Sequence, residues 1–400
     1  MANKRENRHD PGDLAQFQCL PLEAKIRMTN QRTKAWYESW TRFEIYDTET
    51  GKTRFVTMDT REFGAEPTLK DSEWIKSALD GQVYVSFSGG KDSTVLADLC
   101  ARVCKCYGWT LYLLFVNTGL EYPEIQKFVK TFAEWLRTTY EIEVVLDIVR
   151  PEMRCDEVIK KYGYPVISKS VSHAVKVAKR NPNGNVMKNV FNPENKGRFG
   201  FYKWKFLIDS EIPLSEDCCN VMKKAPAKKY AKETGRKAIL GTMACESSLR
   251  YSNWLKNGCN AFDTKTPTSQ PMSFWTEQDV LHYIKKYNVP YCSVYGDIVV
   301  DLNLSDEDFD NQMNIIDYLG EYEPEDKLKT TGCDRTGCIF CMFGCHLEKE
   351  PNRFQRLKQT HPRQYDYCIN GGEMVDGKWQ PSKEGLGLGH VLDYIGVKYE

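Results

Sequence analysis

The pattern of apolar and polar positions predicts an α/β protein whose central strands are buried on both faces. A continuous apolar run covers 83–87, and further runs cover 110–116, 142–149 and 237–241. Such runs are typical of parallel strands that helices cover on both sides. After the first run, apolar residues recur at the helical spacing i, i+3, i+4, i+7, namely Leu96, Leu99, Cys100 and Val103. We therefore expect a doubly wound, mainly parallel sheet.

Outside this core the pattern predicts mostly helices. We expect helices over 22–40, 123–140, 277–287 and 349–367, and a short helix from residue 75 up to the first core strand. Phe43 to Thr57 reads as a hairpin that turns at Gly51. Trp36, Tyr37 and Trp40 fall at near-helical spacing, which favours a packing face over an exposed stacking surface.

These elements predict three parts. Residues 1–75 form a helical N-terminal accessory segment, 76–300 a nucleotide-binding α/β domain, and 301–400 a cysteine-rich C-terminal region packed on the core.

Composition narrows the class of protein only slightly. The 400 residues carry 55 Lys and Arg against 55 Asp and Glu, so a nucleic acid or membrane would need a local patch of charge. No apolar run reaches the length of a membrane span and the first residues are polar, so we expect a cytoplasmic protein without a membrane partner. In that reducing compartment, fifteen cysteines favour metal ligands or redox groups over disulfides.

The first core strand ends in a glycine turn that opens a helix. Gly89 and Gly90 permit a tight turn with exposed N–H groups, and the helix N-terminus adds its positive dipole end. Ser88 and Ser93 offer hydroxyl groups, Lys91 a mobile charge, and Asp92 a helix cap or a magnesium ligand. The lysine directly follows the glycine pair, so the Walker pattern is absent. The loop predicts a phosphate site, and a plain strand-to-helix turn is the alternative.

Polar residues also follow two other predicted strands. Asn117, Thr118 and Gly119 come after the second strand, and the segment from Gly241 to Arg250 leaves the end of the last one. Ligands of open α/β sheets bind at these carboxyl ends. An arginine there can clamp a phosphate or sulfate through its planar fork.

Four cysteines lie within thirteen residues near the C-terminus, at Cys333, Cys338, Cys341 and Cys345. The Cys-x4-Cys-x2-Cys spacing is known from iron–sulfur sites. A tetrahedral zinc site is the second interpretation, and buried free thiols are the third.

A stretch rich in Asn, Gly and Pro over 181–200 predicts a surface loop without regular structure. Basic residues in and after it alternate with aromatic ones, at Lys188, Lys196, Arg198, Lys203 and Lys205. This mixture suits single-stranded nucleic acid, and a solvated loop with an aromatic anchor explains it equally well.

Several motifs resemble one superfamily. Ser-Gly-Gly-Lys-Asp-Ser at 88–93 resembles the pyrophosphate loop of the ATP pyrophosphatases, which include phosphoadenylyl sulfate reductases, tRNA thiolases and DNA phosphorothioation enzymes. Asn-Thr-Gly-x2-Tyr-Pro-Glu at 117–124 is similar to a stretch of the sulfate-reducing members, and the likeness extends over roughly residues 80–345. The resemblance implies an adenine nucleotide alpha hydrolase-like fold that binds ATP and Mg²⁺.

The resemblance also implies roles for individual residues. Catalytic roles fall to Lys91, Asp92 and Arg250. Nucleotide binding falls to Ser86, Ser88, Gly89, Gly90, Lys91, Asp92, Ser93, Asn117, Thr118, Gly119, Gly241 and Glu246.

A tandem cysteine pair resembles part of the adenylyl sulfate reductase pattern Cys-Cys-x2-Arg-Lys-x2-Pro. Cys218, Cys219, Lys223 and Pro226 match it, and Met222 replaces the arginine. In that family the pair and a later Cys-x2-Cys hold a 4Fe-4S cluster. The resemblance therefore implies Cys218, Cys219, Cys338 and Cys341 as ligands, with Cys333 and Cys345 as substitutes or carriers of a labile sulfur.

These observations lead to three functional hypotheses. The first is an ATP-dependent sulfur transferase that uses a sulfur donor, with a nucleic acid as one possible acceptor and room for a partner subunit. The second is a reductase that releases sulfite from a sulfonucleotide, which the elements at 246–250 and 275–280 favour. Against it, Lys91 and Asp92 are intact, and the tail lacks the Glu-Cys-Gly-Leu-His nucleophile of those reductases. The third is a nucleotide-binding subunit with a structural metal.

Overall fold

The computed structural model describes residues 8–61, 65–301 and 326–400. The chain divides into two compact units. Unit 1 comprises 1–115, 123–149 and 229–336, and unit 2 comprises 116–122, 150–228 and 337–400. The domain boundaries predicted at residues 75 and 300 stay a prediction.

The helices and strands of the described residues follow in chain order. The first half contains α1 (Asp13–Gln18), α2 (Leu22–Glu38), β1 (Trp40–Asp47), β2 (Lys52–Asp59), β3 (Glu73–Leu79), β4 (Val83–Ser86), α3 (Lys91–Tyr107), β5 (Leu111–Val116), α4 (Pro123–Tyr140), β6 (Val144–Val149), α5 (Cys155–Tyr162), β7 (Val166–Ile167) and α6 (Lys169–Arg180). The second half contains α7 (Ala225–Thr234), β8 (Lys237–Leu240), α8 (Ser248–Asn257), β9 (Asn260–Ala261), β10 (Thr268–Ser269), α9 (Glu277–Tyr287), β11 (Ile298–Val300), β12 (Leu328–Thr330), β13 (Met342–Phe343), α10 (Arg353–Thr360), α11 (Pro362–Ile369), β14 (Glu373–Val375), β15 (Lys378–Gln380) and α12 (Leu388–Tyr394).

Unit 1 is built on a six-stranded sheet of the order β6-β5-β4-β8-β10-β9. β4 pairs in parallel with β5 on one side and β8 on the other, and β10 is parallel to β8. Only the β10–β9 pair among these recorded ladders is antiparallel. The mainly parallel α/β sheet that the apolar runs predict is therefore confirmed. The strand order reverses at β4, because the chain continues to β5 on one side and returns to β8 on the other.

The core of unit 1 follows the predicted periodicities. Val83 and Val85 are fully buried, and so are Leu96, Leu99 and Cys100 on the inner face of α3. Gly108 ends α3 in the left-handed conformation (φ +70°), which glycine adopts without steric cost. The strand-to-helix unit that carries the phosphate loop is thus held from both sides by apolar packing.

The N-terminal elements also follow their pattern. The predicted helix over 22–40 is α2, and the predicted hairpin is the β1–β2 pair, in which Asp47 faces Lys52 across the turn. Trp36 and Tyr37 are fully buried and Trp40 is 4% exposed, so the packing-face interpretation is confirmed.

The short helix predicted from residue 75 is wrong, because this segment is strand β3, which pairs antiparallel with β1. Trp74 and Leu79 in this strand are both 48% exposed. Trp74 instead lies opposite Tyr46, with 6.1 Å between the ring centroids. Pairing with a strand some thirty residues earlier decides the conformation, and a local periodicity does not register such pairing.

Unit 2 has its own apolar core, which contains Val166, Val175, Leu207, Leu386 and Val391. The parallel pair β13–β7 crosses it, with Met342 opposite Val166. The predicted helix over 349–367 is two helices, because Pro362 cannot continue the first and instead begins α11. The predicted loop over 181–200 contains a π-helical turn at Val186–Val190.

Among the described residues, no helix combines the length and the apolar character needed to cross a bilayer.

Candidate functional site

A cavity of about 310 Å³ opens in unit 1 where the strand order reverses. Its walls come from the loop after β4, from the end of β8 and from residues beyond α9. Parallel sheets leave a crevice at such a reversal, at the carboxyl ends of the two diverging strands. The predicted residues that line it are Ser86, Ser88, Gly90, Lys91, Asp92, Ser93, Gly241 and Glu246.

The glycine turn is fixed by close contacts. Gly89 has φ +73°, and a Cβ there would lie 2.9 Å from Ile125 Cγ2. A Cβ on Gly90 would lie 3.0 Å from Thr336 Oγ1. The Ser93 hydroxyl donates to the Gly90 carbonyl oxygen at 2.9 Å and accepts from the Ser88 N–H at 3.2 Å. The loop therefore keeps its shape at the N-terminus of α3, where helix N–H groups favour an anion.

Gly241 lets the end of β8 approach α3 closely. A Cβ at this position would lie 3.1 Å from the Asp92 carbonyl oxygen and 3.3 Å from Ser93 Cα. Both obstacles are backbone atoms, which cannot turn aside as a side chain can. A glycine is therefore required for the two walls of the cavity to meet.

Lys91 is held tightly although its side chain is long. It is 3% exposed, its Nζ donates to the Asp334 carbonyl oxygen at 2.6 Å, and it forms an ion pair with Glu277 Oε1 at 2.8 Å. Its backbone N–H donates to the Tyr295 hydroxyl at 3.0 Å. The charge of the Lys91 ammonium group is thus compensated, and its position is fixed. Phosphate oxygens would compete with Glu277 and the Asp334 carbonyl oxygen for this group.

Asp92 is the least satisfied group in the cavity. Its Oδ1 is buried and has no hydrogen-bond partner among the described residues. Burial raises the pKa of this carboxyl, opposed by Lys91, and the charges of Glu246 and Glu277 raise it further. An oxygen donor buried beside a phosphate site fits Mg²⁺, which binds one or two carboxylates together with substrate phosphates.

The Glu246 and Arg250 pair lies at the rim. Glu246 lines the cavity and forms ion pairs with Arg250 and, at 3.6 Å, with Arg335. The side chain of Arg250 is 40% exposed and is not among the residues that line the cavity. The arginine that lines it is Arg335.

Asn117, Thr118 and Gly119 belong to unit 2. Their turn is held locally, because the Thr118 hydroxyl donates to Glu121 Oε1 at 2.6 Å and the Gly119 N–H donates to Asn117 Oδ1 at 3.0 Å. Their role in nucleotide binding stays a prediction.

Sequence reasoning missed several lining residues and contacts of this cavity. Thr242, Arg335 and Thr336 line it, and Glu277 pairs with Lys91. The sequence contained an indication of two of these residues at 333–338, where polar residues that could contact a ligand, Arg335 and Thr336, lie between two cysteines. We attributed that stretch to metal binding alone.

A second cavity, of about 30 Å³, lies in unit 2 and is lined by five thiols. Four of them are the predicted ligands Cys218, Cys219, Cys338 and Cys341, which the fold brings together from two distant segments. The fifth is Cys155, at the start of α5, which sequence reasoning did not select. No spacing rule could find it, because it lies more than sixty residues before the tandem pair.

The two substitute cysteines lie elsewhere. Cys333 belongs to unit 1. Cys345 is buried in unit 2 and is not among the residues that line the thiol cavity, and its Sγ donates to the Met342 carbonyl oxygen at 3.1 Å.

Burial raises the pKa of the thiols Cys155, Cys218, Cys338 and Cys341, which line the cavity, and a neighbouring cation opposes part of this shift at Cys338. Burial raises the pKa of Cys338 to about 11, and the Lys223 ammonium opposes this shift. Burial lowers the pKa of Lys223, but the charges of Cys338 and Glu121 outweigh it and raise that pKa overall. A cation is thus held beside the sulfur atoms.

The thiol cavity fits an iron–sulfur cluster by its donors. Such clusters are bound by four cysteine thiolates, and the cavity offers five thiols with a lysine beside them. No group of three or more His, Cys, Asp or Glu side chains among the described residues stands at single-ion distances. All fifteen cysteines carry free thiols.

More than half of the chain matches one known protein family. Residues 82–342 match the family model of the phosphoadenosine phosphosulfate reductase domain, which is more than half of the 400 residues. No curated protein matches the chain. Among solved structures it is similar to the U34-tRNA thiolase NcsA from Methanococcus maripaludis with its 4Fe-4S cluster, at 14% identity and a TM-score of 0.27. That similarity covers 67% of this chain and 66% of the thiolase chain.

Replacing Asp92 by Asn is expected to stabilise the ligand-free protein by about 1 kcal/mol at neutral pH, because a buried carboxylate without a partner is removed. The pKa of Asp92 in the folded protein lies above its ordinary 3.8. The stability gained by Asp92→Asn is therefore present at pH values where the folded-state carboxylate is ionised. It shrinks as the pH falls through that raised pKa. Thermal unfolding across pH measures it, with and without Mg²⁺ and ATP.

The matched control is Asp71→Asn, at an exposed aspartate of the same unit, which should leave stability unchanged. Wild-type protein should gain stability from Mg²⁺ with ATP, and Asp92→Asn should gain much less. A destabilised Asp92→Asn, stabilised by Mg²⁺ with ATP as much as the wild type, would show that the carboxylate has a structural role.

Replacing Cys338 by Ser is expected to remove most of the iron and sulfide from anaerobically purified protein, because a thiolate ligand is lost. Cys333→Ser should keep both, since Cys333 lies in unit 1. Metal analysis and the visible absorption spectrum measure the effect. Cys155→Ser and Cys219→Ser, compared in the same way, identify the surplus thiol. Zinc in place of iron in the wild-type protein would contradict the cluster.

Proposed function

Because this chain belongs to the phosphoadenosine phosphosulfate reductase family, whose chemistry acts on sulfur and adenine nucleotides, we propose that it is an ATP-dependent sulfur transferase. One observation carries the proposal beyond the family. Lys91 and the unpartnered Asp92 carboxylate both line the cavity at the strand reversal. A cation and a metal-binding oxygen beside helix N–H groups suit the splitting of a polyphosphate.

The first step is adenylylation. An oxygen of the acceptor attacks the α-phosphorus of ATP, a new P–O bond forms, and the bond to pyrophosphate breaks with its electron pair on the leaving group. Lys91 and the N–H groups at the start of α3 stabilise the charge on pyrophosphate, and Asp92 would hold a Mg²⁺ ion that supplies further positive charge. Ser88 and Ser93 orient the phosphate oxygens by hydrogen bonds. An ion pair with Glu277 and a hydrogen bond to the Asp334 carbonyl oxygen hold the Lys91 ammonium in place before the nucleotide arrives.

The second step brings in sulfur. A sulfur nucleophile from the donor attacks the activated centre of the acceptor, and AMP leaves with the oxygen. Residues Cys218, Cys219, Cys338 and Cys341, with Cys155 beside them, would hold an iron–sulfur cluster. When bound, such a cluster supplies a soft metal site for sulfur. A reducing, cytoplasmic setting that keeps thiols free suits this chemistry.

Reduction of a sulfonucleotide is the second candidate, and the family match favours it. In that reaction the substrate already carries an activated sulfur, and no pyrophosphate leaves. A cation that stabilises the charge on pyrophosphate would therefore have no function. The intact Lys91–Asp92 pair therefore supports the transferase. The products separate the two readings, since ATP would yield AMP and pyrophosphate, whereas adenylyl sulfate with a thiol reductant would yield sulfite.

Replacing Lys91 by Ala is expected to lower the rate of AMP and pyrophosphate formation from ATP by about 10²- to 10³-fold, the usual loss when one charge-stabilising donor is removed. The matched control is Lys105→Ala on the same helix, whose exposed Nζ pairs with Glu141. That variant should turn over ATP at the wild-type rate.

Three outcomes would contradict the proposal. Undiminished turnover by Lys91→Ala would take the loop out of the mechanism. Release of sulfite from adenylyl sulfate, without any splitting of ATP, would establish the reductase. Binding of ATP without turnover of either substrate would leave a nucleotide-binding subunit.

A further inference from the structure

The segment from Val186 to Ile208 in unit 2 carries an unusual concentration of charge. Between these residues the sequence has five cations and one acid, Glu194, in a chain whose charges balance as a whole. The cations are Lys188, Lys196, Arg198, Lys203 and Lys205. All five are exposed, and no ion pair is recorded for any of them among the described residues.

The same segment exposes three large rings. Phe199 is 60% exposed, Tyr202 49% and Phe206 41%. We call these rings and the five cations the basic aromatic surface. Folded proteins bury most aromatic area, so contiguous exposed rings generally mark a contact surface.

An aromatic anchor accounts for only part of the segment. Phe191 and Leu207 are each 1% exposed and belong to the apolar core of unit 2. They fasten the segment at two points. Anchoring therefore leaves the exposed rings of Phe199 and Tyr202 unexplained, whereas Phe206 is partly exposed and also contacts the Trp204 and Tyr394 rings.

The local helix arranges rings and cations in rows. Residues Tyr202–Ile208 form a 3₁₀ helix, in which side chains three positions apart lie above one another. Tyr202 and Lys205 therefore share one row, and Lys203 and Phe206 share the next. The third row, Trp204 and Leu207, turns to the core.

Contacts between cations and rings support the first row and extend to the residues just before the helix. Lys205 Nζ lies 5.8 Å from the centroid of the Tyr202 ring, and Arg198 Cζ lies 5.6 Å from that of Phe199. The edge of the Trp204 ring meets His346 at 5.2 Å between centroids, which holds the helix against unit 2. Tyr202 and Phe199 thus each present a ring next to a positive charge, and the Lys203 ammonium lies 5.0 Å from the centroid of the Trp204 ring.

We infer that the basic aromatic surface binds single-stranded nucleic acid. Proteins that hold single strands combine cations for the phosphates with rings on which unpaired bases stack, and both lie here in alternation. A duplex would satisfy the cations alone, because its bases are stacked on one another. An acidic protein would equally leave the rings unused.

This inference adds an acceptor class to the proposed sulfur transfer, and only that role rests on the proposed function. A strand held on unit 2 would be the molecule whose base or backbone receives sulfur. Binding itself requires neither ATP nor the cluster. The two proposals can therefore fail separately.

The test is fluorescence anisotropy of the full-length protein with labelled single-stranded RNA and DNA of about 20 nucleotides, over a range of salt. Replacing Tyr202 by Ala is expected to weaken binding by about 5- to 140-fold, the usual effect of losing one stacked base. Lys203→Gln with Lys205→Gln should weaken binding and reduce the slope of log K against log salt by about 1.4.

The matched control replaces two exposed lysines of the same unit, Lys160→Gln with Lys383→Gln. It should leave affinity and slope unchanged. Thermal unfolding confirms that each variant is folded. Lys91→Ala should bind the strand as the wild type does, so binding with no splitting of ATP would keep the surface and reject the transferase.

Several results would overturn the inference. Duplexes that bind as tightly as single strands, or a Tyr202→Ala variant that binds normally, would leave a charge effect without stacking. Equal loss in the control pair would point to overall charge. Binding of anionic lipid vesicles or polyglutamate, but of no oligonucleotide, would assign the surface to a membrane or to an acidic protein.

Discussion

The close approach of two parallel strand ends is the constraint on which the cavity of unit 1 depends. β4 and β8 run side by side, and the chain leaves them in opposite directions across the sheet. The gap at their ends can face a phosphate only if the turn after β8 comes against the first turn of α3. Gly241 favours this approach, because a Cβ there would lie only 3.1 Å from the Asp92 carbonyl oxygen. Loop, helix dipole and cavity wall are thus consequences of one backbone contact.

The same contact has an unfavourable electrostatic consequence. It buries the Asp92 carboxylate without a partner, while Lys91 beside it is neutralised by Glu277. A structure selected for stability alone would pair Asp92 with the neighbouring ammonium. The lysine instead turns to Glu277 and Asp334, which leaves the carboxylate ready for a cation brought by the ligand. An unfavourable electrostatic free energy of this kind is typical of functional sites, where ligand binding offsets it.

The sequence predicted what contiguous residues encode. The loop at 88–93 and its helix could be predicted because glycines, hydroxyl side chains and a helical apolar repeat are adjacent in the sequence. The spacing of the cysteines could be recognised for the same reason. Cys155 and Arg335 were missed because only tertiary folding brings them to their cavities. Segment 73–79 was misread because a partner strand decided its conformation. A short stretch of sequence can reveal residues that act together within one loop. Site residues that come from distant segments can be identified only from the fold.

Unit 2 shows how far this dependence on distant segments reaches. Its thiols come from the start of α5, from the tandem pair and from the segment before β13, and none of these pieces is a neighbour of another in sequence. A cluster bound by such thiols would tie the pieces together, so its binding energy would add to the stability of the folded unit. The basic aromatic surface is anchored in the same apolar core through Phe191 and Leu207. Loss of the metal would therefore weaken the support of that surface as well as the thiol cavity, so the two features would be coupled through the folding of the core that they share.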